Sequence, residues 1–298
     1  MKITYGTTDC NIDVTEICCK KLMWNNFIRI PNGDEQRAFF FTDPIYGKLK
    51  SIFITNKDNI TTEYDAINDI TIKIVTDGNF IIIDEGINKK ISDIHSKLQF
   101  KYGSLNDEFP EQKMVARYLS GDEKVLEIGS NIGRNSLVIA HILGEKNNNN
   151  FVTLECDMNI AKQLQENRDL NNFNFHIENS ALSKRKLIQR GWETIPSDVL
   201  LDGYNNINTI TIDELITKYN IVFDTLVLDC EGAFYYILMD MPEILKNINL
   251  IIMENDYWDI NKKQYVDQIL KKNHFYIDYV EGGGWGPCSS NFYEVWKK

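Results

Sequence analysis

From Lys124 onward, short apolar runs alternate with segments of helical spacing, and this alternation restricts the fold of the chain more than any other feature. Val125 to Ile128, Phe151 to Glu155, Phe173 to Glu178, Thr225 to Asp229 and Leu250 to Glu254 are apolar enough to be strands buried on both faces. Separated by helical stretches, they predict a mostly parallel sheet covered by helices. Two further runs, Phe275 to Val280 and Phe292 to Trp296, are joined by Glu281 to Asn291, which reads as a loop without a helix. A parallel crossover needs about a dozen residues or more, usually with a helix, so this pair is predicted to be antiparallel.

The first hundred residues have a different texture. Phe39-Phe40-Phe41, Ser51 to Thr55, Ile70 to Val75 and Phe80 to Asp84 read as short β segments, the last two joined by the hairpin signal Asp77-Gly78-Asn79. Helical spacing begins at Glu111 to Leu119, just after Pro110. The expected organisation is a β-rich domain over 1–104, serving acceptor binding or self-association, followed by an α/β domain over 105–298.

Composition narrows the functional classes. The 43% hydrophobic content of 298 residues is ample for a packed core. A net charge of −11, from 43 acidic and 32 basic residues, opposes a phosphate backbone, so no nucleic-acid partner is expected. No apolar run of about 18 residues occurs, and Met1 to Gly6 lacks a charged flank followed by an apolar stretch, which predicts a cytoplasmic protein with no membrane span. Cys10, Cys18, Cys19, Cys156, Cys230 and Cys288 form no C-x-x-C pair and are expected to be reduced.

The segment Val125-Leu126-Glu127-Ile128-Gly129-Ser130-Asn131-Ile132-Gly133-Arg134-Asn135-Ser136 reads as a strand, a glycine turn and the start of a helix over Ser136 to Leu143. Amides at a helix start bind a carboxylate, and Glu127 near the strand end offers an acceptor to an ammonium group. Glu155 ends the next strand, where doubly wound folds place an acid that takes both ribose hydroxyls. Ser130, Asn131, Asn135 and Ser136 complete the turn. Together these residues suit a nucleoside carrying an amino acid. A dinucleotide is the weaker alternative, because Ser130 and Asn131 stand where its second glycine should be.

With those blocks in hand, the chain from about Glu111 to Trp296 resembles the FkbM family of methyltransferases. The likeness is carried by Val125 to Ser136, Leu154-Glu155-Cys156-Asp157, Asn179-Ser180-Ala181-Leu182-Ser183, Thr211-Ile212-Asp213-Glu214-Leu215 and Leu228-Asp229-Cys230-Glu231-Gly232-Ala233. Glu127 stands where the family has an aspartate, and Phe234 where it has an acid. The resemblance implies a class I, Rossmann-like sheet of seven strands and S-adenosylmethionine held by the glycine turn, Glu155, Ser180, Ala181 and Asp229. It also implies an oxygen acceptor on a sugar or other hydroxylated metabolite.

A hydroxyl becomes a nucleophile when its proton is accepted, so Asp229 and Glu231, at the carboxyl edge of strand four, are the expected general bases. His274 is a further candidate base. Glu254 and Asp256, after strand five, lie on the same edge, and the four carboxyls are an expected Mg²⁺ site. Trp192, Trp258 and Trp285 are candidates to stack on a sugar face or on adenine. The competing reading is a methyltransferase fold without turnover, acting as a glycan-binding or structural module.

Overall fold

A computed structural model describes every residue of 1–298 except Asn25, Asn32, Ile67, Asn68, Thr76, Asp77, Gly78, Asp84, Glu85, Trp192 and Trp285. The chain divides into two compact units, Met1–Lys90 and Ile91–Lys298. The division precedes residue 104 because the segment around Gln99 is tied to the second unit. Gln99 N donates to Asn171 Oδ1 at 2.7 Å, and Lys101 N to Asn167 Oδ1 at 2.9 Å.

The N-terminal unit carries two antiparallel four-stranded sheets. One has the order Asn11–Asp13, Lys2–Gly6, Ser51–Thr55, Thr61–Tyr64; the other Met23–Trp24, Phe27–Ile30, Ile70–Ile74, Phe80–Ile82. Ile3, Tyr5, Ile28, Ile30, Ile52 and Ile72 are at the centre of its core. The expected hairpin pairing of Ile70–Ile74 with Phe80–Ile82 is present, although Asp77, Gly78 and Asp84 lie outside the described residues. The expected strand Phe39-Phe40-Phe41 is instead the end of the helix Asp34–Phe41. Helical spacing decides this. Arg37 and Phe41, four residues apart, are buried, and Phe39 is 84% exposed. Arg37 holds the entry and exit of this region, donating to Pro31 O at 2.8 Å and Asp65 O at 2.6 Å.

The second unit is built on one sheet whose strands are β1 (Val125–Ile128), β2 (Phe151–Leu154), β3 (His176–Glu178), β4 (Thr225–Leu228), β5 (Leu250–Glu254), β6 (Tyr276–Glu281) and β7 (Tyr293–Lys297). Their order is β3-β2-β1-β4-β5-β7-β6. The first five are parallel and β7 runs antiparallel to both β5 and β6. This is the α/β, Rossmann-like arrangement that the strand inventory predicts. β1, β4 and β5 are buried along nearly their whole length, which is why they read as unbroken apolar runs.

The principal helices are α1 (Phe109–Tyr118), α2 (Arg134–Gly144), α3 (Met158–Leu170), α4 (Ile212–Tyr219), α5 (Phe234–Asp240) and α6 (Ile260–Lys272). Asp157 caps α3 by accepting from the amides of Asn159 and Ile160, and Thr211 and Glu214 form a capping box on α4. Two of the sequence blocks therefore begin helices. The connection Glu281 to Asn291, expected to hold no helix, contains a 3-10 helix over Gly286–Asn291, with Pro287 near its start and Cys288 buried beneath it. The insert before β4 is a small sheet, with Leu187–Arg190 between Glu193–Pro196 and Asn205–Ile207. Among the described residues no helix is long and apolar enough to cross a membrane.

Candidate active site

The registers Ile128 with Leu154, Leu228 with Ile128 and Leu228 with Met253 bring the carboxyl ends of β2, β1, β4 and β5 level. The chain turns from the β1–β2–β3 side back to β4 beside β1, so the crevice at this edge is the topological switch point of the sheet. Glu155, Gly129, Asp229 and Glu254 stand there side by side.

Gly129 has φ 87°, and a Cβ on it would lie 1.6 Å from the carbonyl oxygen of Asp229. The two strand ends touch through this glycine, as no other residue would allow. Gly133, at φ 92°, precedes α2, and no side chain caps that helix. The first-turn amides of α2 have no acceptor within the helix, so they remain available to a carboxylate. Asn135 is buried and its Oδ1 has no partner, an acceptor oxygen left over at the mouth of the turn.

Two acids hold this turn. Glu155 Oε2 accepts from Asn131 N at 3.0 Å and Oε1 from Asp157 N at 2.8 Å, while burial pushes its carboxyl up. Glu127 lies beneath the turn, where Oε2 accepts from the hydroxyls of Ser136 and, at 2.6 Å, Thr153. Burial drives the Glu127 carboxyl up to about 7, against those two hydrogen bonds. Ser130 donates its hydroxyl to Leu154 O at 3.2 Å. Ser180 donates to Glu178 Oε1 at 2.9 Å, and Ala181 continues into a short strand paired with Thr209–Ile210, so these two lie on the β3 flank of the turn. Asn179, between them and β2, donates to Glu155 O at 2.8 Å and fixes the acidic strand end.

On the β4 side, Glu231 and Gly232 both adopt left-handed backbone, with φ 51° and 75°. A Cβ at Gly232 would meet Asp256 O at 2.9 Å, so the β4 and β5 loops also pack tightly. Glu231 shares a side-chain hydrogen bond with Asp256, which with burial pushes it up to about 8. Asp229 is raised well above the usual carboxylate range by burial and by Glu108, Glu111, Glu231 and Glu127 around it. Glu254 is raised by burial, by Asp229 and by its hydrogen bond with Glu111.

The expected Mg²⁺ site is not formed. Among the described residues no group of three or more His, Cys, Asp or Glu side chains is placed to hold a metal ion. Glu231 turns to Asp256 and Glu254 to Glu111, so the carboxyls pair with one another instead of converging on one point. His274 is also misplaced for catalysis. It is exposed and precedes Tyr276, which aligns with Lys297 and, through it, with Leu250 at the amino end of β5. It therefore lies on the opposite edge of the sheet. Trp258 is 74% exposed just beyond β5; Trp192 and Trp285 lie outside the described residues.

Four groups of this site escape sequence reasoning. Glu108 immediately precedes α1 and Glu111 lies in its first turn, and α1 packs on α2, β5 and β7. Arg134 pairs with Glu108 at 2.6 Å and Asp107 at 3.5 Å. The Tyr293 phenol is raised by burial and then by Glu111, Glu254, Glu281 and Asp229. The only signal for the first pair is an acid either side of Pro110 at helical spacing, and nothing in that spacing says which sheet edge it reaches.

Sheet order and switch-point crevice together define a Rossmann-like α/β fold. No family model and no curated protein matches the chain. Solved structures similar to it include an O-methyltransferase from Bacillus cereus in complex with SAH, at 16% identity and a TM-score of 0.40, covering 72% of this chain and 90% of that one. Another is the ribosomal protein L11 methylase from Lactobacillus delbrueckii subsp. bulgaricus, at 11% identity and a TM-score of 0.41, covering 67% and 81%.

Proposed function

We propose that the chain is an S-adenosylmethionine-dependent O-methyltransferase of the FkbM type, acting on a hydroxyl of a saccharide or other hydroxylated metabolite. The observation that carries this reading is the switch-point edge itself. There Glu155 accepts from the glycine turn on one side, and the Asp229 carbonyl abuts Gly129 on the other, with Glu231 two residues further along that loop.

The residues present fit such a cofactor. The buried, unpartnered Asn135 Oδ1 and the Glu127 carboxyl are acceptors for an ammonium, and the uncapped first turn of α2 offers amides to the carboxylate. Each Glu155 oxygen already takes one backbone amide and keeps a lone pair for a ribose hydroxyl. Ser130, Asn131, Gly133 and Ser136 shape the turn, and Ser180 and Ala181 flank it towards β3. S-adenosylmethionine supplies, when bound, the electrophilic methyl group.

Glu231 accepts the proton of the acceptor hydroxyl. Its carboxyl, held near 8 by Asp256 and burial, is suited to exchange a proton near neutral pH. Asp229, pressed against Gly129, orients the donor and acceptor halves of the site. The exposed Trp258 ring beside β5 supports a sugar-stacking role. The N-terminal unit is assigned to glycan recognition, supported by its own cavity of about 280 Å³, which is lined by Tyr64, Phe80, Asn56, Asp58 and Thr62 among others.

The test is transfer of a labelled methyl group from S-adenosylmethionine to a panel of saccharides. Glu231→Gln is expected to lower kcat by roughly 10² to 10⁴, with affinity for S-adenosylhomocysteine unchanged. In the parent protein kcat/KM is expected to rise with pH and level off above about 8. A Glu231→Gln variant as fast as the parent would remove Glu231 from the role of base.

A further inference from the structure

The core of the N-terminal unit is left open between the edges of its two sheets. Thr61–Tyr64 is the last strand of one sheet and Phe80–Ile82 the last strand of the other, and the cavity of about 280 Å³ is lined from both. Side chains two apart on a strand share a face, so Ile60, Thr62 and Tyr64 form one row and Phe80 and Ile82 a second. Thr62 is paired with Ile54, which is 2% exposed and part of the core, so the first row lies on the core-facing side. Yet Thr62 is exposed, and Ile60 is 62% exposed. A face that elsewhere buries apolar side chains here shows a hydroxyl and an aliphatic side chain together to an open cavity.

The turn that joins Ser51–Thr55 to Thr61–Tyr64 supplies the polar wall. Asn56 Oδ1 accepts from the amides of Asp58 and Ile60, at 2.9 and 3.0 Å, which fixes the turn and leaves Nδ2 as a donor. Lys57 and Asp58, beside it in the lining, bring one charge of each sign. The wall therefore has no excess of cations for a phosphate and no excess of acids for an ammonium. An occupant that suits it is neutral, apolar towards Ile60, Phe80 and Ile82, and rich in donors and acceptors towards Asn56, Asp58 and Thr62. A sugar ring is built this way, with C–H bonds on its faces and hydroxyls around its rim. Small-molecule pockets begin at roughly 300 Å³, so the cavity is matched to a single ring.

Resting on the methyltransferase reading, we propose that this cavity holds one neutral sugar ring of an oligosaccharide acceptor, a ring other than the one that is methylated. All of its lining residues belong to Met1–Lys90, whereas the glycine turn, Glu155 and Glu231 belong to Ile91–Lys298, so binding here needs no cofactor. The acceptor class that follows is a chain of neutral sugars, not a single sugar and not a charged one.

The experiment is calorimetric titration of the full chain, without cofactor, with maltotetraose, cellotetraose, mannotetraose and chitotetraose. At least one is expected to bind with a dissociation constant on the order of 0.1 to 1 mM. Thr62→Arg, at an exposed position, puts a long side chain into the cavity and should weaken that binding about tenfold or more. Asp58→Ala, also exposed, removes an acceptor without adding bulk and should weaken it about threefold or more. Glu155→Ala should leave it unchanged. In methyl transfer, Thr62→Arg is expected to raise KM for the same tetrasaccharide by about tenfold, with kcat within about twofold of the parent. No binding by any of the four chains overturns the inference, as does binding that neither Thr62→Arg nor Asp58→Ala weakens, or a KM that Thr62→Arg leaves unchanged. Failure of S-adenosylhomocysteine to bind overturns the underlying reading instead, and is told apart because the sugar titration contains no cofactor.

Discussion

Gly129 is where the two halves of the site meet, because its missing Cβ lets β1 reach the Asp229 carbonyl. Gly129→Ala places a methyl group 1.6 Å from that oxygen in a left-handed backbone, so the β1 and β4 ends must separate. The expected loss is about 2 to 4 kcal/mol, read from urea unfolding; a variant as stable as the parent would contradict the close approach. Glu127 makes stability depend on pH. Its folded carboxyl is raised from 4.5 to about 7, chiefly by burial. Below the unfolded value it is protonated in both states and its contribution is complete. As pH rises the unfolded chain ionises first, and stability falls until the folded group ionises near 7, by at most about 3 kcal/mol. Urea midpoints at pH 5 and 8 should therefore differ less in Glu127→Gln than in the parent. An equal difference would show that Glu127 is not the group responsible.

Helix α6 is joined to strand β7 by a buried polar network. Lys263 Nζ lies 2.9 Å from Glu294 Oε2, both side chains 2% exposed, and also pairs with Asp267, while Trp296 Nε1 donates to the same Glu294 oxygen at 2.9 Å. Removing one charge strands the other, so Lys263→Met is expected to cost about 3 to 5 kcal/mol. Lys263→Met combined with Glu294→Gln should recover part of that loss, and a double variant no better than the single one would contradict the pairing. The legibility of each element follows from what placed it. β1, β4 and β5 are buried on both faces and announce themselves as apolar runs. Phe39-Phe40-Phe41 misleads because three adjacent aromatics favour a strand locally, whereas burial of Arg37 and Phe41 on one face requires a helix. The glycine turn and the acids beside it were readable as neighbours because they belong to two strand ends and one turn. The acid set of Glu108, Glu111, Glu254 and Asp256 was not, since only the docking of α1 against β5 and β7 assembles it.

The molecule as a whole is built from two units. The unit Met1–Lys90 builds its own core from two antiparallel sheets, and Ile91–Lys298 carries the switch-point crevice with its glycine turn and its acids. The central claim is that this crevice holds a methionine-bearing nucleoside, with Glu155 reading the ribose. Calorimetric titration of the full chain with S-adenosylhomocysteine, beside NAD and a Glu155→Ala variant, tests it most directly. The account predicts binding with a dissociation constant on the order of micromolar, weakened tenfold or more in Glu155→Ala and absent for NAD. No binding of S-adenosylhomocysteine, or binding indifferent to Glu155, would contradict it.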